Sequence, residues 1–452
     1  MAISAGVSRL RDKDASQGWG DRMRFTVRHR VVAFTVALAA VTYLDRVCIA
    51  VLAPKISAEL GLSRIEMGYA FSAFAVAYAL FGVPAAWWAD RDGARRVLTR
   101  VVLWWSVFTM ATAAAWNFAS LLVVRFLFGV GEAGAWPSVA RVYSRWIPLA
   151  ERGRIQGIFF AGAHLSGGLT PLVVAAIAGW LEWRAIFVFF GLAGVLWTVG
   201  WYAWFRDEPR EHRAVSVAEC DHIEATRALP LVQDHVSGSW MAVFKTPTVA
   251  PLCVQAFANS YGFYFFITWL PTYLAQARGI AGAELAIFSG LPLILSFVAD
   301  LTGGEGSDKL ARVISLRAAR RVFGVGGYAL AALAIFCATQ LQSGLAAGSL
   351  IAIGGAFSML TLAPAWATAV DVGGHHAGVT AGVMNTVGQL GGILSPLALA
   401  YLVDATNNWN IPLMVLAGTY AVAGVSWLVI DPDQRVEVAG SAQMQGPSLE
   451  SL

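Results

Sequence analysis

Val31 to Ala53 reads VVAFTVALAAVTYLDRVCIAVLA, an apolar run long enough to cross a bilayer, with Asp45 and Arg46 set in its middle. A second run, 119–145, contains Arg125 and Glu132. A charge at the bilayer centre costs ~3 kcal/mol or more, so intramembrane ionisable groups usually line a water-filled path or pair inside a bundle. Arg125 and Glu132 are seven residues apart, about two helical turns, and so share one helix face. Two cations and two carboxylates on two spanning helices point to a buried site for an anion and a proton. The alternative is a static ion-pair network that only holds helices together.

The rest of the chain has the same apolar character. Of its 452 residues, 57% are hydrophobic and 13% charged, about half the charge of an average soluble protein. That excludes a soluble globular class and predicts an all-α membrane protein. Twelve apolar stretches follow one another: 31–53, 65–88, 97–116, 119–145, 152–180, 184–205, 248–276, 283–303, 318–340, 346–370, 377–403 and 409–430. The one polar stretch between spans, 206–247, separates six helices from six. The expected organisation is therefore a tail over 1–30, a six-helix bundle over 31–205, the inter-bundle loop 206–247, a second bundle over 248–430 and a tail over 431–452.

The net charge of +4 does not indicate nucleic acid, because the Lys and Arg residues gather at alternate ends of the spans. The leading tail holds Arg9, Arg11, Lys13, Arg22, Arg24, Arg28 and Arg30. The second-to-third loop holds Arg91, Arg95, Arg96 and Arg100, the fourth-to-fifth Arg145, Arg152 and Arg154. The eighth-to-ninth holds Lys309, Arg312, Arg317, Arg320 and Arg321. The opposite loops carry only Lys55, Arg64, Arg184 and Arg278, which predicts that both termini are cytoplasmic. The 4 cysteines are scattered without disulfide or metal spacing, no cleavable signal is evident, and the 18 tryptophans suit interfacial anchoring.

The two halves echo each other. Ala86-Trp-Trp-Ala-Asp90-Arg91-Asp-Gly93-Ala-Arg95-Arg96 follows the second span, and Gly304-Glu-Gly-Ser-Asp308-Lys309 follows the eighth, with Asp90 and Asp308 separated by 218 residues. Gly167-Gly168-Leu-Thr-Pro171 in the fifth is matched by Gly391-Gly392-Ile-Leu-Ser-Pro396 in the eleventh, the prolines separated by 225. Paired halves with a binding site near the bilayer midplane are a common design of secondary transporters.

The loop Asp90-Arg91-x-Gly93-x-Arg95-Arg96 resembles the signature of the major facilitator superfamily, with Ala86 where that signature has its first glycine and Gly304 keeping it in the second copy. Within the superfamily the chain resembles the anion:cation symporters, a group with bacterial galactonate, glucarate and hexuronate transporters and the animal sialin and vesicular glutamate transporters. The residues that carry this are Tyr43-Leu44-Asp45-Arg46, Ser72-Ala-Phe74-x3-Tyr78, Arg125-x6-Glu132-x4-Pro137, Trp183-Arg184-x2-Phe187 and Asn385. The resemblance implies two pseudo-symmetric six-helix bundles in a bacterial inner membrane, transport of a small organic anion, and Asp45 and Glu132 as protonatable residues with Arg46 as substrate anchor. It also implies a conformational latch from Asp90, Arg91, Gly93, Arg95 and Arg96, repeated by Gly304, Asp308 and Lys309.

Charge arithmetic gives a mechanism. Asp45 and Glu132 balance Arg46 and Arg125, so the empty site is neutral with both acids ionised. A substrate carboxylate adds a negative charge, and protonating one acid removes the conflict, so anion and proton favour each other's binding. Rise along the helices puts Asp45 and Arg125 at similar depth and Glu132 roughly 10 Å deeper, which casts Arg125 as a bridge between the acids and Glu132 as the inner proton site.

His164, midway along the fifth span, is a proton relay or a packing histidine. Tyr78, Tyr261, Tyr264, Trp366, Asn385 and Gln389 offer amide donors and aromatic walls for sugar hydroxyls, or pack between helices. Asp300 and Glu305 read as interfacial partners of the basic loop that follows them. No cofactor is expected beyond the coupling proton, no metal, and no partner beyond substrate and lipid, since the fold works as a monomer. An organophosphate antiporter is the nearest rival. A phosphate dianion favours an arginine from each half, yet spans seven and ten contain no Lys or Arg. An efflux pump for cations would not want two cavity arginines. An enzyme should show a nucleophile–base or metal constellation, which is missing, and a sensor should carry a sizeable soluble output module.

Overall fold

The computed structural model describes residues 26–148, 151–225, 241–434 and 436, apart from the side chains of Asp90 and His375. The tail cations from Arg9 to Arg24 lie outside the described residues. Ten helices are long and apolar enough to cross a membrane. They are the first (Val27–Leu60), second (Arg64–Asp92), fourth (Phe118–Glu132 with Ala135–Trp146), fifth (Arg152–Ile177), sixth (Trp183–Trp204), eighth (Gly282–Ala311), ninth (Leu316–Gln340), tenth (Gly344–Met359 with Leu362–Gly373), eleventh (Ala377–Thr406) and twelfth (Asn410–Val429). The third (Ala94–Thr112) begins with Arg95, Arg96 and Arg100, and the seventh (Val249–Thr268 with Leu270–Gln276) is interrupted; they complete the expected twelve.

Three spans that read as continuous in the sequence are broken in the structure. A proline lacks the N–H for an i to i−4 bond, and its ring crowds the carbonyl four residues back. Pro137 acts on Ala133, Pro271 on Ile267 and Pro364 on Leu360, each within two residues of its break. Of the three breaks, the one in the fourth helix falls directly after Glu132, a site residue.

The described first part of the linker, up to Ala225, packs on the first bundle, while Val243 near its end packs with Val249 and Val372 of the second. Glu219, on the short helix Val217–Ala225, accepts from the backbone N–H groups of Val27 and Arg28 at 3.3 and 3.0 Å, satisfying orphan donors at the start of the first helix. Arg145 donates to Glu208 at 2.9 Å. His212 packs edge-on against Trp146 and Trp204. Burial, and next the Arg206 charge, hold its imidazole below the usual histidine range.

The two bundles meet along two helix pairs. The second helix meets the eleventh, where Ser72 Oγ donates to the Ile393 carbonyl and the Tyr69 and Tyr401 hydroxyls bond, both at 2.8 Å. The fifth meets the eighth so closely that a Cβ on Gly290 would lie 1.8 Å from the Gly168 carbonyl oxygen. Only glycine allows two helix backbones to approach in this way. Tyr69, Tyr401, Gly168 and Gly290 all lie in the half of the membrane away from the arginine-rich loops.

Candidate functional site

The four charged residues of the first and fourth helices gather, but not in the expected pairs. Arg46 donates through Nε to Glu132 Oε1, with Arg46 8% exposed and Glu132 fully buried. The sequence reading had cast Arg125 as the bridge to both acids; the structure puts the Arg46 side chain on Glu132 instead. The arginine and glutamate side chains together bridge the gap between the two helical positions. Around the Arg46 guanidinium stand four rings, with centroids 5.1 Å away for Phe74 and Tyr78, 5.5 Å for Tyr43 and 5.9 Å for Trp136. Tyr264 from the seventh helix is within electrostatic reach, so the second bundle also faces this cation. Arg46 Nη2 and Glu132 Oε2 are buried without hydrogen-bond partners.

Arg125 is likewise buried, its guanidinium 4.5 Å from the Phe128 centroid and 5.5 Å from that of Phe74. It interacts with both Glu132 and Asp45 through space and makes no ion pair within contact distance among the described residues. Asp45 turns towards the third helix, facing Trp105 and Thr109. Both its carboxyl oxygens are buried, with Trp105 Nε1 and Thr109 Oγ1 as the neutral donors that face them. A buried polar group without a partner is costly, and an ionised one far more so. Trp105, Thr109 and Trp136 were missed in the sequence because an apolar or weakly polar helix residue carries no mark of the charge it will face.

The other candidates separate into two places. Trp366 and Asn385 line a cavity of about 100 Å³ in the second bundle, together with Gln255, Asn259, Ser260 and Met384, and none of the four charged residues lines it. Asn259 donates to the Ser358 carbonyl at 3.1 Å and Gln255 accepts from the Tyr328 hydroxyl at 3.1 Å, so their amides are held by the bundle itself. Gln389, one helical turn beyond Asn385, is half-buried with an unpartnered Oε1. Tyr261 is buried and stacks against Phe257.

His164 does not face this cavity. Its Nδ1 lies 2.5 Å from Asp300 Oδ2 of the eighth helix. Asp300 is thus not a partner of the basic loop, contrary to the sequence reading, because its position on the eighth helix points it across to the fifth. Glu305 does pair with Lys309, at 2.6 Å and one turn away.

The loop between the second and third helices is tied down by a residue the sequence reading did not single out. Gly93, at φ +83°, takes a backbone conformation that side chains disfavour, and a Cβ there would meet Asp207 Oδ2 at 2.8 Å. Asp207, from the linker, accepts the Arg95 backbone N–H at 2.9 Å. The Arg95 guanidinium donates to the Tyr202 carbonyl and lies 4.5 Å from that ring's centroid. Asp92 accepts from Trp88 and Arg100 at 2.9 and 3.3 Å, while Arg91 lies over Trp87 and Arg96 is exposed. In the second copy Gly304 lies close against Ala363, and Asp308 is exposed.

This arrangement of helices is shared with known transporters. Two solved structures of a bacterial homologue of the human lysosomal transporter Spinster, both described as inward-facing, superpose with TM-scores of 0.73 and 0.68 at 19% and 20% identity; the first covers 89% of this chain and 96% of the other. In sequence the chain is 33% identical to a probable sulfoacetate transporter of Cupriavidus necator, over 91% of its own length and 95% of that protein's. It is 30% identical to a hexuronate transporter of Bacillus subtilis, over 87% and 92%, and 30% identical to a D-galactonate transporter of Escherichia coli, over 90% and 96%. The last two are of the kinds of transporter that the sequence resembles. Residues 35–396 match the Major Facilitator Superfamily, and the chain is an integral membrane transporter that belongs to it.

Proposed function

We propose that the protein is a proton-coupled symporter that imports a small organic anion, an acid sugar or a related carboxylate, by alternating access. The observation that carries this reading is that Arg46 is engaged by Glu132 while keeping a buried donor unpartnered. One guanidinium then serves two acids in turn. With Glu132 ionised, Arg46 is held by it. Once Glu132 takes a proton its hold on Arg46 weakens, and the cation is released to a substrate carboxylate, which a planar fork can grip through two donors. Anion and proton favour each other because the anion replaces the Glu132 carboxylate on Arg46, and the proton neutralises the carboxylate that is displaced.

Asp45 supplies the second proton site. Its carboxyl is buried with no cation in contact distance among the described residues, and Arg125 lies near enough to both acids to influence how readily each gives up its proton. If both acids load protons with one monoanion, net positive charge enters the cell, and the membrane potential adds ~2.3 kcal/mol per charge per 100 mV. The rings of Tyr43, Phe74, Tyr78 and Trp136 hold the Arg46 guanidinium in place for a carboxylate, and the amides and indole of the second bundle's cavity suit a hydroxylated anion. The relatives named as hexuronate and D-galactonate transporters handle anions of this kind.

Placing the arginine-rich loops, the linker and both termini in the cytoplasm follows the positive-inside rule. The bundles meet in the other half of the membrane, so the conformation opens towards the cytoplasm. Cysteines introduced near Arg64, Arg278 or Asp404 are expected to react with an impermeant reagent in intact cells. Reaction near Arg91 or within 206–247 would reverse this orientation.

Uptake itself is tested in reconstituted vesicles. An inward proton gradient is expected to drive accumulation of a labelled aldonate, uronate or sulfoacetate, and an ionophore to stop it. No uptake from that panel, together with exchange of hexose phosphate for inorganic phosphate, would replace the symporter by an organophosphate antiporter.

A further inference from the structure

His164 and Asp300 form a contact that the symport scheme leaves unused. The two side chains are 4% and 14% exposed, and the ring nitrogen lies 2.5 Å from the carboxylate oxygen. His164 belongs to the first bundle and Asp300 to the second. Of the ion pairs between described residues, this one alone joins the bundles. It sits on the same helix pair as the Gly168–Gly290 approach, further along towards the arginine-rich side. It also adjoins the anion site: the Tyr43 ring packs edge-on to His164 with centroids 5.6 Å apart, and that ring's centroid lies 5.5 Å from the Arg46 guanidinium.

We propose that His164 and Asp300 share a proton that ties the two bundles together in the conformation seen here, and that loss of this proton helps them part. With the proton present, the contact is either an imidazolium beside a carboxylate or a neutral hydrogen-bonded pair, and its net charge is zero in both forms. Without it, the contact buries a net negative charge, and Asp300 Oδ1 is already buried with no partner. Parting the helices lets water reach that charge, so proton loss favours the separated state. By linkage, acid favours contact and base favours separation. The pair is a positioning device: it acts on the fifth and eighth helices and needs no contact with substrate.

The titratable groups that face the pair are few. The first helix presents Tyr43, with Arg46 and, beyond it, Glu132; the seventh presents Phe263 and, next to it, Tyr264. The tenth helix packs against the eighth, and its Asp371 is taken by Arg320 at 2.8 Å. On the eighth helix itself, Glu305 is taken by Lys309 and Asp308 is exposed further towards the loop. Glu132 and Asp45 also bind protons in the scheme above, so the test must separate them from the histidine pair.

Spin labels at cysteines introduced at Gly179 and Ala283, both exposed where the fifth helix ends and the eighth begins, report the separation of the bundles. The four native cysteines are replaced and no substrate is added, so the outcome does not depend on the substrate assignment. From acid to alkaline pH, the longer-distance population is expected to rise by about fivefold or more. His164→Gln and Asp300→Asn should each abolish that rise, and the swapped double variant H164D/D300H should restore it. A distribution in the parent that does not move with pH overturns the proposal. So does a rise that persists in both single variants, since it would then belong to Asp45 or Glu132. Should one single variant misfold, the other and the swap carry the comparison.

Discussion

Glu132→Gln is expected to abolish uphill accumulation of substrate while leaving exchange of substrate across the membrane running. The amide mimics the protonated acid, so it cannot hold Arg46 as a carboxylate does, and the cation stays available to the anion in both halves of the cycle. Binding and reorientation survive; the proton gradient has nothing left to act on. Affinity should lose most of its dependence on pH, with tight binding persisting towards neutral pH where the parent weakens. Asp45→Asn should behave similarly, with slower release of substrate. Counterflow and gradient-driven uptake measured on the same vesicles separate the two activities. Accumulation by Glu132→Gln equal to the parent's would remove Glu132 from the coupling step and return the cluster to a static network.

Arg46→Ala is expected to lose substrate binding at every pH. Truncating one member of a buried charged pair costs about 2–5 kcal/mol, some 30-fold or more in affinity, and here it also leaves Glu132 buried without its cation. Arg46→Lys keeps the charge but replaces a planar fork by a point donor, so it should bind weakly rather than normally. Arg125→Ala is the informative contrast. Arg125 is in contact distance of neither acid but interacts with both, so its loss should move the pH dependence of binding more than its strength at the optimum. Thermal shift against a panel of small carboxylates reads all three variants, because a ligand stabilises what it binds. Unaltered affinity in Arg46→Ala would place the anchor elsewhere.

Much of the architecture was legible in the chain because it depends on local properties. Hydropathy and length within a window of some twenty residues mark a span whatever surrounds it, and the two echoed motifs marked the halves. The breaks at Ala133, Trp269 and Leu360 could have been inferred from Pro137, Pro271 and Pro364. They were not, because spanning helices tolerate proline where neighbouring groups re-satisfy the backbone, as the continuous helices through Pro171, Pro292 and Pro396 show.

The sequence by itself determined that this is a twelve-helix transporter of two repeated halves and that Asp45, Arg46, Arg125 and Glu132 form its charged core. Only the tertiary structure decided who pairs with whom. Asp45 and Arg46 are adjacent in the chain, yet successive residues on a helix point about 100° apart. One therefore faces Trp105 and Thr109 on the third helix, and the other reaches Glu132 on the fourth. The pairing of His164 with Asp300 joins positions 136 residues apart, and that of Arg95 with the linker's Asp207 joins positions 112 apart. Contacts of this kind depend on how helices cross and how far a side chain reaches, and neither is a property of any one stretch of sequence.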